Sequence, residues 1–411
     1  MRNIKKYIII SGLILGFTNV NAQTLSLDEV LGTIKTNNPQ LKMYDADIQS
    51  MDAAAKGATS WMPPQINTGL FMTPYNVKMW KADEMNPGMG AYMIPNASRQ
   101  KADLNYMNAM SSVEAENKNY TINQLNALAK TNYYQWIVLN KKIKIANDNL
   151  LLMEYMIKSM EIRYQYNMDK LSTYYKAKSK YNELQSMLVM LQNEIAQKRI
   201  MLNTLMARDK KLLFEIDPNY TLKEFDLLQT DTTALSQNRS DVKAIEKTME
   251  LNQLKIATEK SKLLPEFGVK YDHMFAFGAQ PQQFSLMGMV TIPMPWSTKM
   301  NKATINSIQI KNESLAWQKQ MILNEATGMI SGMQTELENL KKQYDIADKS
   351  IIPALKRNYD TAVLAWQNNT GELFVVLDAW EALNMAQMDK LDKLQAILST
   401  QVAIEKQLET K

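Results

Sequence analysis

The side chains best suited to chemistry in this sequence are thioethers. Methionine occurs 30 times, more often than Phe at 9 and Tyr at 18 combined, whereas there is 1 His and no Cys. Thioether sulfur is a soft donor suited to Cu(I) and, by the same argument, to Ag(I). Most of the methionines have a plainer use, filling gaps in helix seams as Met153 and Met160 do. A smaller set is spaced differently. Met274, Met287 and Met289 alternate with aromatic and branched residues, and Met89 and Met93 alternate with Tyr92 and Ile94, so these thioethers share one face of extended segments. Met79 and Met85 add two more in the intervening YNVKMWKADEMNP. The lone His273 falls on the opposite, apolar parity and is a poor ligand candidate. Nothing else is arranged for catalysis: the sequence has no phosphate-binding Gly loop and no acid pair set apart from the charged helix faces.

Four segments of strand character must position those methionines, at about 65–74, 88–95, 266–277 and 283–293. In EFGVKYDHMFAF, Phe267, Val269, Tyr271, Phe275 and Phe277 share one face, with Lys270, Asp272 and Met274 on the other. In FSLMGMVTIP, Phe284, Leu286, Val290 and Ile292 oppose Ser285, Met287, Met289 and Thr291. Such lengths suit tilted strands crossing a bilayer, apolar outside and mixed inside. Four strands cannot close a barrel, since the smallest need about eight. Open edges are not tolerated in lipid, so inserted strands require several copies to pool them. The soluble alternative is a pair of β-hairpins on a helical body.

The rest of the chain reads as long helices. From Asn96 to Asp217 there is neither Gly nor Pro. Apolar positions step by three and four along Ile122, Leu125, Ala129, Asn132, Trp136, Leu139, Ile143, Ala146, Leu150, Met153, Ile157, Met160 and Tyr164. That heptad seam implies a supercoil with a neighbour. A second seam follows at Ala177, Tyr181, Leu184, Leu188, Leu191, Ile195, Lys198, Leu202 and Leu205, and the pattern slips between them at NMDKLST, Asn167 to Thr173. The pair predicts a helical hairpin whose first arm, Ser98 to Tyr166, reaches about 100 Å.

The pattern occurs twice. Pro64 in SWMPPQI and Pro265 in SKLLPEF stand as far apart as Leu41 and Val242, or as Ile145 and Ile346, close to half of the 411 residues. NMDKLSTYYKA from Asn167 likewise pairs with NTGELFVVLDA from Asn369. Each proline ends a helix and sends the chain extended into a strand. The expected division is a signal peptide at 1–22, with Arg2, Lys5 and Lys6 before YIIISGLILGF and cleavage after Ala22, then repeats at 23–217 and 218–411, the second with an additional segment. Losing those three basic residues takes the formal charge from +5 to +2, which leaves no basic surface for nucleic acid. No cofactor is expected.

With LSLDEVLGTIKTNNPQL at Leu25 to Leu41, the two Pro-bearing entries and the segment ending VLDA at Val376 to Ala379, the chain resembles the outer-membrane efflux protein family of TolC-like channels. The resemblance spans nearly the whole mature sequence. It implies a mainly α fold with a membrane β part: a homotrimer with a twelve-stranded β-barrel in outer-membrane lipid, a periplasmic α-barrel of long hairpins, and an equatorial belt. It implies as partners a periplasmic adaptor and an inner-membrane pump. It implies adaptor docking at the tips, Asn167, Met168, Asp169, Lys170, Leu171 and Ser172, and Asn369, Thr370, Gly371, Glu372 and Leu373. Asn stands at each tip where the family has Gly, and Asn is the next most tolerant residue of a left-handed backbone. The family closes its channel with D-x-x-D, and here Val375 to Asp378 keeps only the second acid, so Asp378 and Glu372 are the aperture candidates. Met89, Met93, Met274, Met287 and Met289 would then face the lumen as weak contacts for Cu(I) or Ag(I), the cargo of a metal-exporting branch. The alternatives are an organic-compound or polypeptide conduit and, in another class, a non-conducting coiled-coil protein spanning the periplasm.

Overall fold

The computed structural model describes residues 23–61, 63, 75–76, 91–94, 96–166, 170–225, 231–274 and 281–409. Residues 1–22, the strand segment 65–74, Met89, the end of the third strand at 275–277, and Asn167, Met168 and Asp169 lie outside them.

Free of internal Gly and Pro, α3 (Ala97–Gln165) runs unbroken for 69 residues, about 100 Å at 1.5 Å per residue. Asn96 starts it, its side-chain oxygen accepting from the Ser98 N–H at 2.9 Å. The predicted seam is buried at Leu125, Ala129, Asn132, Trp136, Leu139, Ala146, Met153 and Met160. It packs on α4 (Leu171–Leu205), which buries Ala177, Leu184, Leu191, Ile195, Leu202 and Leu205. Each large apolar side chain among them contributes about 1.5–3 kcal/mol by leaving water. Tyr164, in the last turn of α3, is instead exposed. Leu171 to Thr173 belong to α4, so the turn is shorter than the slipped pattern predicted.

The second half repeats this arrangement with α6 (Ser240–Ser261), α7 (Lys299–Ile346), a π-turn (Ala347–Ile351), α8 (Ile352–Gln367) and α9 (Leu373–Leu408). α6 takes the place of α2 (Pro39–Ala55), and the short α5 (Thr232–Asn238) that of α1 (Leu27–Asn37), with Leu235 buried as Ile34 is. Lys118 pairs with Asp45, and at matching positions Lys319 pairs with Glu246 at 2.6 Å. Asn38 Nδ2 donates to the Leu205 carbonyl at 2.9 Å, and Arg239 Nη1 donates to that of Gln407 at 3.0 Å. The returning helices both end on left-handed residues, Ala207 with φ 55 and Glu409 with φ 47.

The match slips once. Ala326, Ile330, Leu337 and Ala347 are buried where Leu125, Ala129, Trp136 and Ala146 are. From Ile352 through Tyr359 to Trp366, however, the correspondence with Leu150, Ile157 and Tyr164 lies one residue further along. The extra residue falls between Ala347 and Ile352, at the π-turn, where a helix can absorb an insertion without losing phase on either side. Pro353 follows directly and has no N–H to offer the α-helical ladder, so the ladder breaks there at little further cost.

The strands form a sheet in the order β2 (Ala91–Ile94), β4 (Glu266–Met274), β5 (Gln283–Thr291). β4 and β5 are antiparallel, with Phe267 opposite Val290 and Tyr271 opposite Leu286, and Ile94 of β2 lies opposite Phe267. β5 stops at Thr291, short of the expected 293; Pro293 can donate nothing to a ladder. A second, parallel pair, β1 (Gln23–Leu25) with β3 (Phe214–Ile216), was not anticipated, because three-residue strands are too short to show a period. Tyr133 of α3 pins both, donating to the Leu25 carbonyl at 2.9 Å and accepting from the Asp217 N–H at 3.0 Å. Burial pushes its hydroxyl up to about 12. Among the described residues no helix is long and apolar enough to cross a membrane.

Candidate functional site

At the second tip the backbone closes in a Schellman turn. Asn369 has φ 58, its N–H bonds the Trp366 carbonyl at 3.1 Å, and the Thr370 N–H bonds that of Ala365 at 2.9 Å. Asn therefore supplies the left-handed residue expected there. Gly371 follows because a Cβ on it would stand 2.9 Å from that of Ala365. Glu372 precedes α9 as Lys170 precedes α4, and these two matching residues pair across the tips at 3.7 Å.

Further contacts bind the tips side by side. Arg163, near the end of α3, reaches Asn369 Oδ1 and lies 5.0 Å from the centre of the Trp366 ring. The Lys176 ammonium lies 3.8 Å from the Phe374 ring centre. Lys180 bonds Glu381 at 2.8 Å and Glu183 at 3.0 Å, which raises its pKa, the Glu381 bond first. Beneath them one core joins Met153, Met156 and Met160 with Tyr359, Trp366, Leu373, Val376 and Trp380. A buried network continues it, with Trp380 Nε1 donating to Asn149 Oδ1 at 2.8 Å and Asn149 Nδ2 donating to Asn384 Oδ1 at 2.9 Å. Around this core Tyr166, Leu171, Tyr175, Phe374 and Val375 stay exposed, an apolar rim that sequence periodicity did not single out.

Asp378 is exposed and shares a helix face with Val375, three residues before it. Glu372 lies outside the helix and turns toward Lys170, so the two aperture candidates are not brought together.

On the sheet, the register sets Met93, Gly268 and Met289 in one row across three strands and Ala91, Lys270 and Met287 in the next. In the register, Met274 pairs with Gln283. Met287 is exposed and Met289 half-buried. Beside them Lys270 pairs with Asp272 at 3.0 Å and Ser285 Oγ donates to Asp272 at 3.2 Å, so this face is polar. The other face is apolar and bare: Ile94, Phe267, Val269, Tyr271, Phe284, Leu286 and Val290 are all exposed. His273 stacks near Tyr271 on that side, ring centres 6.5 Å apart, as parity predicted. No cluster of His, Cys, Asp and Glu able to hold a metal occurs among the described residues. Any metal contact here would rest on thioethers.

The outer membrane efflux protein family matches residues 30–208. No curated protein is matched in sequence. In fold, the chain is similar to a membrane protein from Pseudomonas aeruginosa, with a TM-score of 0.77 and 13% identity over 94% of this chain and 91% of that one. It is similar also to CusC, crystallised in a study of folding and transmembrane channel formation, at 0.76 and 15% over 93% and 91%. The outer membrane protein VceC from Vibrio cholerae follows at 0.75 and 13% over 93% and 95%.

Proposed function

We propose that this chain, with the outer membrane efflux protein match over residues 30–208 and the fold of the outer-membrane channels over nearly its whole length, is the outer-membrane conduit of a three-part export system. The observation that carries this reading is the β2–β4–β5 sheet, apolar and bare on one face and polar on the other, mounted on hairpins about 100 Å long. A sheet of that kind fits outer-membrane lipid only when its edges are paired. Three copies, each giving two strands from repeat 23–217 and two from 218–411, would close a twelve-stranded barrel, and the hairpins would continue it through the periplasm.

The tips, Asn167 to Ser172 and Asn369 to Leu373, receive the periplasmic adaptor, with the exposed apolar rim as the surface it covers. Asp378, with Val375 on the same face, lines the periplasmic aperture, and Glu372 holds the tips in order. The cargo includes Cu(I) or Ag(I), passed by weak exchange among Met89, Met93, Met274, Met287 and Met289 and delivered by an inner-membrane pump. Nothing in the arrangement calls for catalysis. Conductance across a planar bilayer by the purified protein, with a trimer mass in detergent, tests the conduit; a soluble monomer without conductance overturns it. Gene deletion tests the cargo. Greater sensitivity to copper and silver is expected, and heightened sensitivity to bile salts and antibiotics with unchanged metal tolerance removes the metal reading alone.

A further inference from the structure

The small net charge of the chain hides an uneven distribution. Four helix ends meet next to the β2–β4–β5 sheet, where α2 and α6 finish and α3 and α7 begin. Hydrogen bonds hold them level: Gln100 Nε2 donates to the Thr59 carbonyl at 2.9 Å, Asn96 Nδ2 to that of Pro265 at 3.2 Å, and Asn301 Nδ2 to Glu259 at 2.9 Å. Residues 52–60, 97–103, 255–266 and 299–302 of this collar carry eight Lys or Arg against four Asp or Glu. That excess is twice the +2 left to the whole chain without residues 1–22.

Three of the four acids are already paired. Arg99 bonds Glu266 at 2.6 Å and lies 3.9 Å from Asp103, and Lys262 bonds Glu259 at 2.6 Å. Of the other six cations, Lys56, Lys101, Lys260, Lys299 and Lys302 are exposed and form no ion pair among the described residues. One exposed acid, Asp52, stands against them. Large apolar side chains are bare in the same collar: Trp61 after α2, and Met294, Trp296 and Met300 between β5 and the first turn of α7, with Trp296 79 % exposed.

We propose that the collar binds anionic phospholipid of the leaflet facing the periplasm, its lysines meeting headgroup phosphates and Trp61 and Trp296 lying at headgroup level. The inference rests on the membrane reading above, which puts the bare face of the sheet in acyl chains. That face ends at Ile94, Phe267 and Val290, and the collar follows within a few residues, at the height where acyl chains give way to headgroups. Lysine suits this place, because its stem can lie along apolar surface while the ammonium reaches a phosphate. Indole rings likewise prefer the boundary, where one edge is apolar and the N–H finds an acceptor. A zwitterionic headgroup offers the same phosphate beside a positive group that cancels it. The collar therefore selects by net charge, and unpaired lysines near an anionic surface add their attractions.

The test reconstitutes the full chain in vesicles of equal phosphatidylglycerol and phosphatidylcholine, excises it with its nearest lipid in polymer-bounded discs, and measures the ratio of the two lipids. Phosphatidylglycerol should be enriched severalfold, and raising salt from about 0.1 M to about 1 M, which shortens the screening length from about 10 Å to about 3 Å, should remove most of the enrichment. Changing Lys56, Lys101, Lys260, Lys299 and Lys302 together to Gln should bring the ratio near one, with trimer mass and conductance kept. The same change at Lys144, Lys178, Lys210, Lys211 and Lys342, away from the sheet, removes equal charge and should leave the enrichment in place. The salt series on the unaltered chain decides the matter if the collar variant does not assemble. No enrichment, enrichment indifferent to salt, or enrichment kept by the collar variant overturns the inference, and a collar variant that changes only the ion selectivity of the conductance places these lysines in the lumen and overturns it too. Each of these results, in a conducting trimer, leaves the conduit reading intact; a monomer without conductance overturns both.

Discussion

Leu171 and Leu373 begin α4 and α9 at matching positions, and one is 43 % exposed while the other is 2 % exposed. Their neighbours follow suit: Trp366 and Trp380 are buried where the first hairpin has the exposed Tyr164 and Lys178. The helices run alike in both, so the difference lies in what each tip meets. The second tip rests on Met153, Met156 and Met160 of the first hairpin. The first has no third hairpin in its own chain to rest on. A duplicated unit therefore seals one of its faces internally and leaves the matching face exposed.

The largest expected effect tests that asymmetry directly. Trp366→Ala should cost about 3–5 kcal/mol, the usual loss for a buried aromatic. The matching Tyr164→Ala should fall within about 0.5 kcal/mol, as for an exposed site. Denaturant midpoints of the two variants measure both, and equal costs would break the comparison.

Next comes the π-turn, where the two arms differ in backbone. Deleting Ser350 restores the spacing of the first half but forces Pro353 into a regular ladder, which should cost about 3 kcal/mol. Adding Pro353→Ala to the deletion should recover most of it. If the double variant is no more stable than the deletion, the extra residue is not what the π-turn accommodates.

Much of this fold is legible in the sequence because long helices advertise themselves. Thirteen seam positions from Ile122 to Tyr164 predict one face of α3, and all but Tyr164 are buried or packed at its core. Strand parity likewise places Phe267, Tyr271 and Phe284 on one face and Met287 and Met289 on the other. The second stripe of α3, with Tyr133, Ile137 and Val138, stays hidden, since a seam reading assumes one neighbour and α3 has several. The π-turn was signalled by Pro353 and by the growth of the repeat spacing by one residue before the tip, two marks that mean little until set side by side. The apolar rim of Tyr166, Tyr175 and Phe374 gave no signal, because exposure at a helix end depends on which other elements of the fold pack over it.

A third test addresses the left-handed tip. Asn369→Val puts a β-branched residue at φ 58 and should cost about 1 kcal/mol or more. Adaptor affinity should fall while the trimer persists, and export unaffected by Asn167→Val with Asn369→Val would remove the tips from docking. A smaller effect is expected of acid. Burial raises the Glu405 pKa, but its bonds to Lys130 at 2.6 Å and Lys223 at 2.8 Å outweigh that and hold it below 4.5 overall. Its stabilisation is therefore complete above pH 4.5 and is lost as pH falls through the lower folded value. Glu405→Gln should flatten that acid limb of the unfolding midpoint and leave neutral behaviour nearly unchanged in slope.

The smallest expected effect separates order from charge at the tips. Lys170 and Glu372 are 77 % and 74 % exposed, so their 3.7 Å pairing contributes at most about 1 kcal/mol. Lys170→Glu alone places two acids together and should loosen the paired tips slightly. Adding Glu372→Lys restores opposite charges with their places exchanged, and stability should return to the starting value. Adaptor affinity then decides between two roles. If the pair serves only to hold the tips side by side, the exchanged chain binds as well as the original. If the adaptor reads the sign of charge at each tip, the exchanged chain stays weak although its own order is repaired, and the loss shrinks with added salt because these groups stand in water.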